Sequence, residues 1–313
     1  MVRNRREILQ SAAAVATTVL AAPFIRRAEA AEPIKVGSLL DLSGPIGTSG
    51  QPMFDAIQLA VAEVNAAGGL LGRPIELINY NTQSTIQLYS QYAQQLALKD
   101  RVAVVHGGIT SASREAIRPV FDRYRILYFY NVLYEGGVCD RDIFCTGTTP
   151  AQTVNKLVPY ALKTWGKKVY ILAADYNYGQ ITAKWMTKYT RDGGGTVQAV
   201  DFFPLDVTGF TAAATYEGFH LWAEGVKKAN SIERMPVIKA LETGLSFDGP
   251  SGKVTIDHAT HHVIRNAYLG KAVDKTWDVI ASYPNQPPSD TAAVCNLIKA
   301  PNTDKQFVID VKS

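Results

Sequence analysis

Short β-rich runs alternate with helical stretches from residue 34 to about residue 205, and this alternation restricts the fold more than any other feature of the chain. The run "IKVGSLL" precedes a segment in which Ile57, Ala60, Val61 and Val64 recur at helical spacing. The runs "IELINYN" and "VAVVHGG" open the next two units of the same kind. Strands separated by helices pair in parallel, because the helix carries the chain back to the same edge. We therefore predict an α/β fold with parallel sheets flanked by helices.

A second series of the same kind begins after residue 147. It contains the strands "KKVYILAAD" and "TVQAVDFFPL", each preceded by a segment of helical period. Two such series predict two α/β lobes. After residue 245 the chain reads as strands and turns, and "HHVIRNAYLGKAVDKTWDVIASYP" predicts a hairpin with its turn near Asp274.

The first 30 residues have the pattern of an export signal. A charged start is followed by the apolar run "SAAAVATTVLAAPFI" and by Ala28, Glu29 and Ala30, which fit a small-x-small cleavage site. Arg5 and Arg6 resemble the paired arginines of twin-arginine signals. The apolar run is too short to span a bilayer, although an uncleaved anchor is the alternative. We expect an exported, periplasmic protein with no stable membrane insertion.

Charge and composition restrict the class of partner. The chain has a formal charge of +4, and residues 1–30 contribute most of it, with five arginines and two glutamates. The remaining +1 provides no basic footprint, so we expect no nucleic-acid partner. An apolar fraction of 47% with 19% charged residues is typical of a globular protein.

Three cysteines suit an oxidising compartment. Cys139 and Cys145 bracket the five residues "DRDIF", which is close enough for a small disulfide loop if the backbone turns there. The alternative is that both are free, buried thiols. Cys295 is then left over, and we expect it to be a buried free thiol.

Four blocks of the sequence resemble one known family. They are "GSLLDLSGPIGTSGQPMFDAIQLAVAEVNAAGGLLGRPIELINYNT", "HGGITSASREAIRPVF", "YFYNVLYEGGVCDRDIFCTG" and "AADYNYGQ". The chain resembles type I periplasmic solute-binding proteins of ABC transporters, in the branch that binds urea, short-chain amides and branched-chain amino acids. The resemblance implies a two-lobed clamp that closes on a small-molecule ligand and delivers it to a membrane permease. It implies no cofactor and no catalysis.

The resemblance also places ligand contacts in the first lobe. The ligand-contacting serine of the family falls on Ser111, with Thr110 nearby, at a helix start where free N–H groups attract a carbonyl or carboxylate oxygen. Simple N-capping by Ser111 is the alternative. Tyr130 falls where the amide-binding relatives place a tyrosine beside the ligand. Val132 and Ile109 depart from the family pattern, which has a threonine and an aromatic residue at these positions.

In the second lobe, Tyr176 and Tyr178 match two tyrosines that the same relatives contribute to the cleft. Alternate residues at a strand end point to one side, so both phenols are expected to face the cleft. Phenols offer a flat apolar wall and a hydrogen-bonding tip, which suits a small neutral amide. Core packing is the alternative role for such a pair.

Other motifs provide less evidence about function. The spacing in "GPIGTSG" matches neither the dinucleotide fingerprint nor the P-loop, and "GPSGK" reads as a tight turn. His258, His261 and His262 suggest a metal site, but strand alternation would place His261 on the opposite face, so we predict no metal. No nucleophile elbow or Cys-x-x-Cys pattern is present, and we predict no enzyme.

The chain departs from the family in the middle of the second lobe. Only residues 206–213 separate the strand "TVQAVDFFPL" from a helix that by resemblance belongs to the first lobe, although a βαβ unit needs about 30 residues. We call residues 206–213 the seam, and expect about a hundred residues of the family pattern to be absent there. The predicted domains are residues 1–30, an export signal; 31–147 plus 211–255, the first lobe; and 148–210 plus 256–313, a truncated second lobe with the tail. We expect exposed apolar surface on the shortened lobe.

The leading hypothesis is thus the substrate-binding component of an ABC importer. A ligand sensor and a truncated remnant without ligand binding are the alternatives.

Overall fold

The structure, a computed structural model, describes residues 31–203, 212–273, 276–309 and 311. The export signal predicted from Arg5 and Arg6, most of the seam and the predicted turn at Asp274 lie outside these residues. The chain from Pro33 onward forms one compact unit. Within the described ranges, no helix combines the length and the apolar character needed to cross a membrane.

Thirteen strands and eight helices are named within the described ranges. In chain order they are β1 (Ile34–Leu40), α1 (Gly47–Ala66), β2 (Ile75–Asn81), α2 (Ile86–Gln95, followed by the π-helical turn Leu96–Asp100), β3 (Val104–Gly107), α3 (Ser111–Tyr124), β4 (Leu127–Tyr130), β5 (Val138–Asp140), β6 (Ile143–Cys145), α4 (Val154–Thr164, preceded by the 3₁₀ turn Pro150–Gln152), β7 (Lys168–Ala174), α5 (Asn177–Asp192), β8 (Thr196–Phe203), α6 (Ala212–Ala229), α7 (Arg234–Leu241), β9 (Ser246–Gly249), β10 (Gly252–Ile256), β11 (Val263–Val273), β12 (Thr276–Gln286), α8 (Ser289–Ala292) and β13 (Asp304–Gln306).

A five-stranded parallel sheet forms the centre of the molecule. Its strand order is β2-β1-β3-β4-β6, and every neighbouring pair is parallel. The sheet confirms the α/β fold, and β1 and β2 coincide with the predicted runs "IKVGSLL" and "IELINYN".

Both faces of this sheet are covered, as the near-continuous apolar strands require. Residues alternate between two cores: Leu127 and Phe129 of β4 pack in one, and Tyr128 and Tyr130 pack in the other. The first core holds α1, α6 and α7. The second holds α2 and α3. The α1 residues predicted from helical spacing are all buried in the first core, namely Ile57, Ala60, Val61 and Val64.

Helix α1 begins within the glycine-rich segment that follows β1. A Cβ atom at Gly50 would lie 1.9 Å from the carbonyl oxygen of Asp41, so glycine is required here for close packing of helix against loop. The segment is therefore the tightly packed start of a helix.

The second series of strands and helices, which begins after residue 147, forms a smaller sheet than the first. Strands β7 and β8 form a two-stranded parallel sheet, with α4 and α5 packed together beside it. Tyr170 and Leu172 of β7 are 54% and 65% exposed, respectively, whereas Ile171 between them is 1% exposed. One face of this sheet therefore presents apolar side chains to solvent.

The remaining strands form an antiparallel sheet of order β12-β11-β10-β9. Strands β11 and β12 pair as the predicted hairpin. Strand β13 pairs antiparallel with β5, so the tail predicted to belong to the second lobe returns to a strand in the first-lobe range. The predicted domain boundaries stay a prediction.

The disulfide prediction is wrong in its partner. Cys139 is bonded to Cys295, with their Cα atoms 5.3 Å apart, and Cys145 is a buried free thiol. The reason is that the two cysteines enclosing "DRDIF" face different cores. Cys145 lies in the core with Tyr130 and Tyr134, whereas Cys139 lies in a small satellite core with Cys295 and Leu297.

The segment that contains His258, His261 and His262 is a turn and not a strand. Its side chains therefore do not alternate between two faces as expected. His258 lies in the turn itself, and His261 has a φ of 59°. His262 lies at an isolated bridge with Cys145 and stacks on Tyr134, with ring centroids 5.6 Å apart. Across the described ranges, no group of three or more His, Cys, Asp or Glu side chains is arranged to hold a metal ion.

Candidate functional site

The start of α3 is capped by Thr110 and not by Ser111. The Thr110 side-chain oxygen accepts a hydrogen bond from the Ser113 backbone N–H at 3.1 Å, and the Ser113 hydroxyl oxygen accepts one from the Thr110 N–H at 3.1 Å. This reciprocal pair is a capping box. Ser111 is the first helical residue, so the capping role considered for it belongs to its neighbour. Its hydroxyl is available for another partner.

That partner is a carboxylate of the same chain. The Ser111 hydroxyl donates to Glu135 Oε2 at 2.5 Å, and both side chains are buried. Glu135 Oε1 accepts from the guanidinium of Arg114 at 3.1 Å. A buried charge is tolerated only when it is paired and hydrogen-bonded, and these contacts meet that condition for both groups.

Arg114 is held from several directions. Its guanidinium lies 4.9 Å from the ring centroid of Tyr130 and 4.5 Å from that of Tyr134, which are cation–π distances. It also donates to Glu115 Oε1 at 3.0 Å and to Gln306 Oε1 at 2.9 Å. The nearby carboxylates, with Glu135 first, hold the pKa of Arg114 well above its usual range despite burial. Arg114 therefore stays charged inside the protein.

Tyr130 is fully buried, and its hydroxyl donates to the carbonyl oxygen of Ile109 at 2.9 Å. Burial raises its pKa, which keeps the phenol neutral. Tyr130 thus fixes the loop that leads into α3. Val132 and Ile109, the two departures from the family pattern, are buried in the same core.

Tyr176 and Tyr178 lie together, as predicted, but not at a strand end. Strand β7 ends at Ala174; Tyr176 is the N-cap residue of α5, and Tyr178 lies in the first helical turn. Their ring centroids are 6.0 Å apart with planes inclined by 47°. Burial raises the pKa of both phenols, that of Tyr178 to about 12, and the negative charge of Glu135 contributes to both shifts. Both phenols are therefore neutral.

A cavity of about 230 Å³ lies between the two predicted lobes. Tyr176 contributes to it from the second series, and Thr110 and Ala112 contribute from the start of α3. The other lining residues are Asp41, Pro45, Ile46, Ser84, Ile86 and Tyr89. Helices α3 and α5 touch beside it. The structure thus brings the two groups of predicted residues to one place, with Thr110 and Tyr176 in the cavity wall and Ser111 and Tyr130 packed behind it.

Asp41 organises one wall of this cavity. Its carboxylate accepts hydrogen bonds from the Thr82 hydroxyl at 2.6 Å, the Ser84 N–H at 2.6 Å and the Tyr89 hydroxyl at 2.7 Å. These bonds tie the loop after β1 to the loop after β2 and to α2. Burial, with a smaller contribution from Asp41, raises the pKa of Tyr89 well above its usual range.

Sequence reasoning missed Asp41, Arg114 and Glu135. A signal for Glu135 was present, since it is the single charged residue between positions 126 and 139. Arg114 and Asp41 had no comparable signal, because one lies in a helix of mixed charge and the other in a loop of turn-forming residues. Their roles depend on contacts with distant residues.

Comparisons with known proteins identify a family and several relatives of this chain. A family model described as "Periplasmic binding protein" matches residues 33–215 and 210–276, which together are more than half of the chain. Leu/Ile/Val-binding protein homolog 7 of Brucella suis biovar 1 is 25% identical over 195 residues, covering 56% of this chain and 47% of the relative. The Leu/Ile/Val-binding protein of Escherichia coli K12 is 28% identical over 97 residues, covering 31% of this chain and 26% of that protein. The chain spans less than half the length of these curated relatives.

Solved structures share the fold. A solute-binding protein of an ABC transporter from Rhodopseudomonas palustris BisB5, in complex with 3,4-dihydroxybenzoic acid, has a TM-score of 0.73 at 18% identity, covering 82% of this chain and 98% of that one. A leucine-binding protein from Thermotoga maritima has a TM-score of 0.69 at 14% identity, covering 80% and 99%. These proteins are named for binding and not for catalysis, in agreement with the expectation of a non-enzyme. On the strength of the family match, the chain belongs to the periplasmic binding protein family.

Proposed function

We propose that the chain is the substrate-binding component of an ABC importer, which captures a small polar solute between two lobes and delivers it to a membrane permease. The observation that carries the proposal is the cavity of about 230 Å³, which is lined by Thr110 and Ala112 from the first predicted lobe and by Tyr176 from the second. A clamp requires residues from both lobes around its ligand, and the residues around this cavity come from both predicted lobes.

The ligand we propose is urea, a short amide or a branched-chain amino acid. Pockets for drug-sized ligands have volumes of about 300–1,000 Å³, so this smaller cavity favours a solute of few heavy atoms. Tyr176 offers a ring face and a neutral hydroxyl, which suit a planar amide. Thr110 lines the same cavity, with Ser111 and Tyr130 buried behind it. The Tyr178 ring lies 6.0 Å from that of Tyr176 and supports it.

Delivery to a permease in the periplasm follows from the family and from the export pattern of residues 1–30, with the pair Arg5 and Arg6 indicating the twin-arginine route. A ligand sensor would use the same cleft. The export pattern favours the transport role over a cytosolic sensor.

We also propose that the second lobe is truncated at the seam. Two observations support this. The family match is divided into two segments that meet at residues 210–215, inside the predicted seam. The parallel strand β7 exposes Tyr170 and Leu172, although parallel sheets are normally covered on both faces. The same observations favour a second candidate, a truncated remnant that folds but binds no solute.

Isothermal titration calorimetry of the purified protein against urea, acetamide and leucine tests the proposal. We expect heat of binding with at least one of these solutes, and a loss of at least tenfold in affinity in Tyr176→Ala and in Ser111→Ala. Tyr160→Ala is the matched control, because Tyr160 is a half-buried tyrosine of α4 that packs on Trp165 outside the cavity. No heat with any solute, from a protein that melts cooperatively, would leave the remnant as the better description.

A further inference from the structure

We propose that Glu135 determines the charge of the ligand: the cleft rejects carboxylates and accepts a neutral or cationic solute that brings N–H donors. This inference rests on the proposed function, since it concerns the same cleft. It assigns a specificity role to a residue that lies behind the cavity wall.

The first observation concerns the Ser111 hydroxyl. A hydroxyl carries one hydrogen, and that of Ser111 is donated to Glu135 Oε2 at 2.5 Å. Ser111 therefore has no hydrogen to give to an oxygen of a ligand. Its oxygen faces the Arg114 guanidinium, which donates to it at 3.5 Å, so the side chains of this protein already occupy the Ser111 hydroxyl on both sides.

The second observation concerns positive charge. Arg114 is the cation beside Ser111, and it is fully buried and paired with Glu135 at 3.1 Å and with Glu115 at 3.0 Å. Among the described residues that line the cavity there is no lysine, arginine or histidine, and their one carboxyl belongs to Asp41. A carboxylate entering this cavity would meet no cation among these lining residues and would lie near the acidic side chain of Asp41.

The third observation concerns Tyr176, the phenol that lines the cavity. Burial, with smaller contributions from Tyr178 and Glu135, raises its pKa, so the phenol stays neutral. It therefore offers a carboxylate no positive charge, and its oxygen can accept a hydrogen bond from a ligand N–H.

This arrangement separates the chain from relatives of the same fold. Solved structures of that fold are complexes with benzoate and 4-hydroxybenzoate, both of which carry a carboxylate. In this chain the Glu135 carboxylate already holds Ser111 and Arg114. Urea and short amides fit these conditions, and benzoates and free amino acids do not.

Acetamide and acetate provide a matched pair of probes, because they have the same size and differ in an amide against a carboxylate. For the wild-type protein at pH 7, calorimetry should show acetamide binding at least 100-fold more tightly than acetate. In Glu135→Gln the preference should shift toward acetate by at least tenfold, because Arg114 loses its main counter-charge. Glu115→Gln is the control, since it removes the other, partly exposed carboxylate partner of Arg114, and its preference should stay within about threefold of wild type.

Equal affinity of the wild-type protein for acetamide and acetate would overturn the inference while leaving a binding protein in place. Binding of neither probe, nor of urea or leucine, would instead overturn the proposed function and the inference with it. Because Glu135→Gln leaves a buried cation, its fold is checked by thermal melting, and the double variant Arg114→Gln/Glu135→Gln removes both charges. The double variant frees no cation, so it should not gain acetate binding as Glu135→Gln does; a shift toward acetate as large as in Glu135→Gln would also overturn the inference.

Discussion

Cys139 of β5 and Cys295, which follows α8, are joined by a disulfide across 156 residues of sequence. The bond and the antiparallel pairing of β13 with β5 attach the C-terminal tail to β5, which lies between β4 and β6 in the chain and outside the central sheet. Gln306 of the same tail accepts a hydrogen bond from Arg114, so the tail also contacts the residues behind the candidate cleft.

Removal of this disulfide is expected to destabilise the protein. A closed loop of this length restricts the unfolded chain, and loss of a native disulfide typically costs about 2–5 kcal/mol. We expect Cys295→Ser to lower the free energy of unfolding by that amount in urea titrations, and Cys145→Ala, which removes the free thiol, to cost less. Peptide mapping without reductant should recover a linked pair containing Cys139 and Cys295. A linked pair containing Cys139 and Cys145 would contradict the assignment.

Stability should fall as the pH drops below about 6.5, the ordinary pKa of histidine. Burial lowers the pKa of His106 to about 3 and that of His262 to about 4, so both rings stay neutral in the folded state. The unfolded chain binds these protons first, so the stability contributed at neutral pH is lost as pH falls from 6.5 toward 4. Because of each ring, the free energy of unfolding should decrease by about 2 kcal/mol between pH 6.5 and pH 5.

The raised pKa of Asp140, about 6 because of burial, acts in the opposite direction over part of this range, so variants are needed to isolate the histidine effect. His106 stacks on Phe129 with centroids 4.9 Å apart, and His106→Phe should flatten the pH dependence of urea unfolding by about 2 kcal/mol. His258→Phe, at an exposed turn position, is the control. Identical pH profiles for His106→Phe and wild type would show that this ring does not act in this way.

The exposed face of β7 should tolerate charge. Leu172 is 65% exposed, so Leu172→Lys should change the free energy of unfolding by less than about 1 kcal/mol. Because it removes part of an apolar patch, it should also reduce self-association in sedimentation velocity experiments. Ile171→Lys is the matched control on the buried face and should prevent stable folding. A loss above 2 kcal/mol in Leu172→Lys would mean that this face is covered.

Local patterns in the sequence predict much of the fold. Helical spacing identified the buried stripe of α1, and apolar runs identified β1 and β2 with their bounds. These features depend on neighbours within a few residues, so a single sequence contains them. The resemblance to a family predicted that Ser111 and Tyr176 lie near the same cleft, and no spacing in the sequence relates these two residues.

What the sequence could not predict depends on contacts between distant residues. Cys145 lies closer in sequence to Cys139 than Cys295 does, yet the two face different cores, because β6 joins the central sheet and β5 pairs with β13. The bond from Ser111 to Glu135 spans 24 residues and is fixed by the packing of Arg114 between two tyrosines. Neither relationship has a local pattern.

The most direct test of the account is a crystal structure of the protein grown with acetamide. We expect electron density for the solute in the cavity of about 230 Å³, with a solute N–H about 3 Å from the hydroxyl oxygen of Tyr176. A solute held at another place on the protein, while this cavity contains only water, would contradict the central claim.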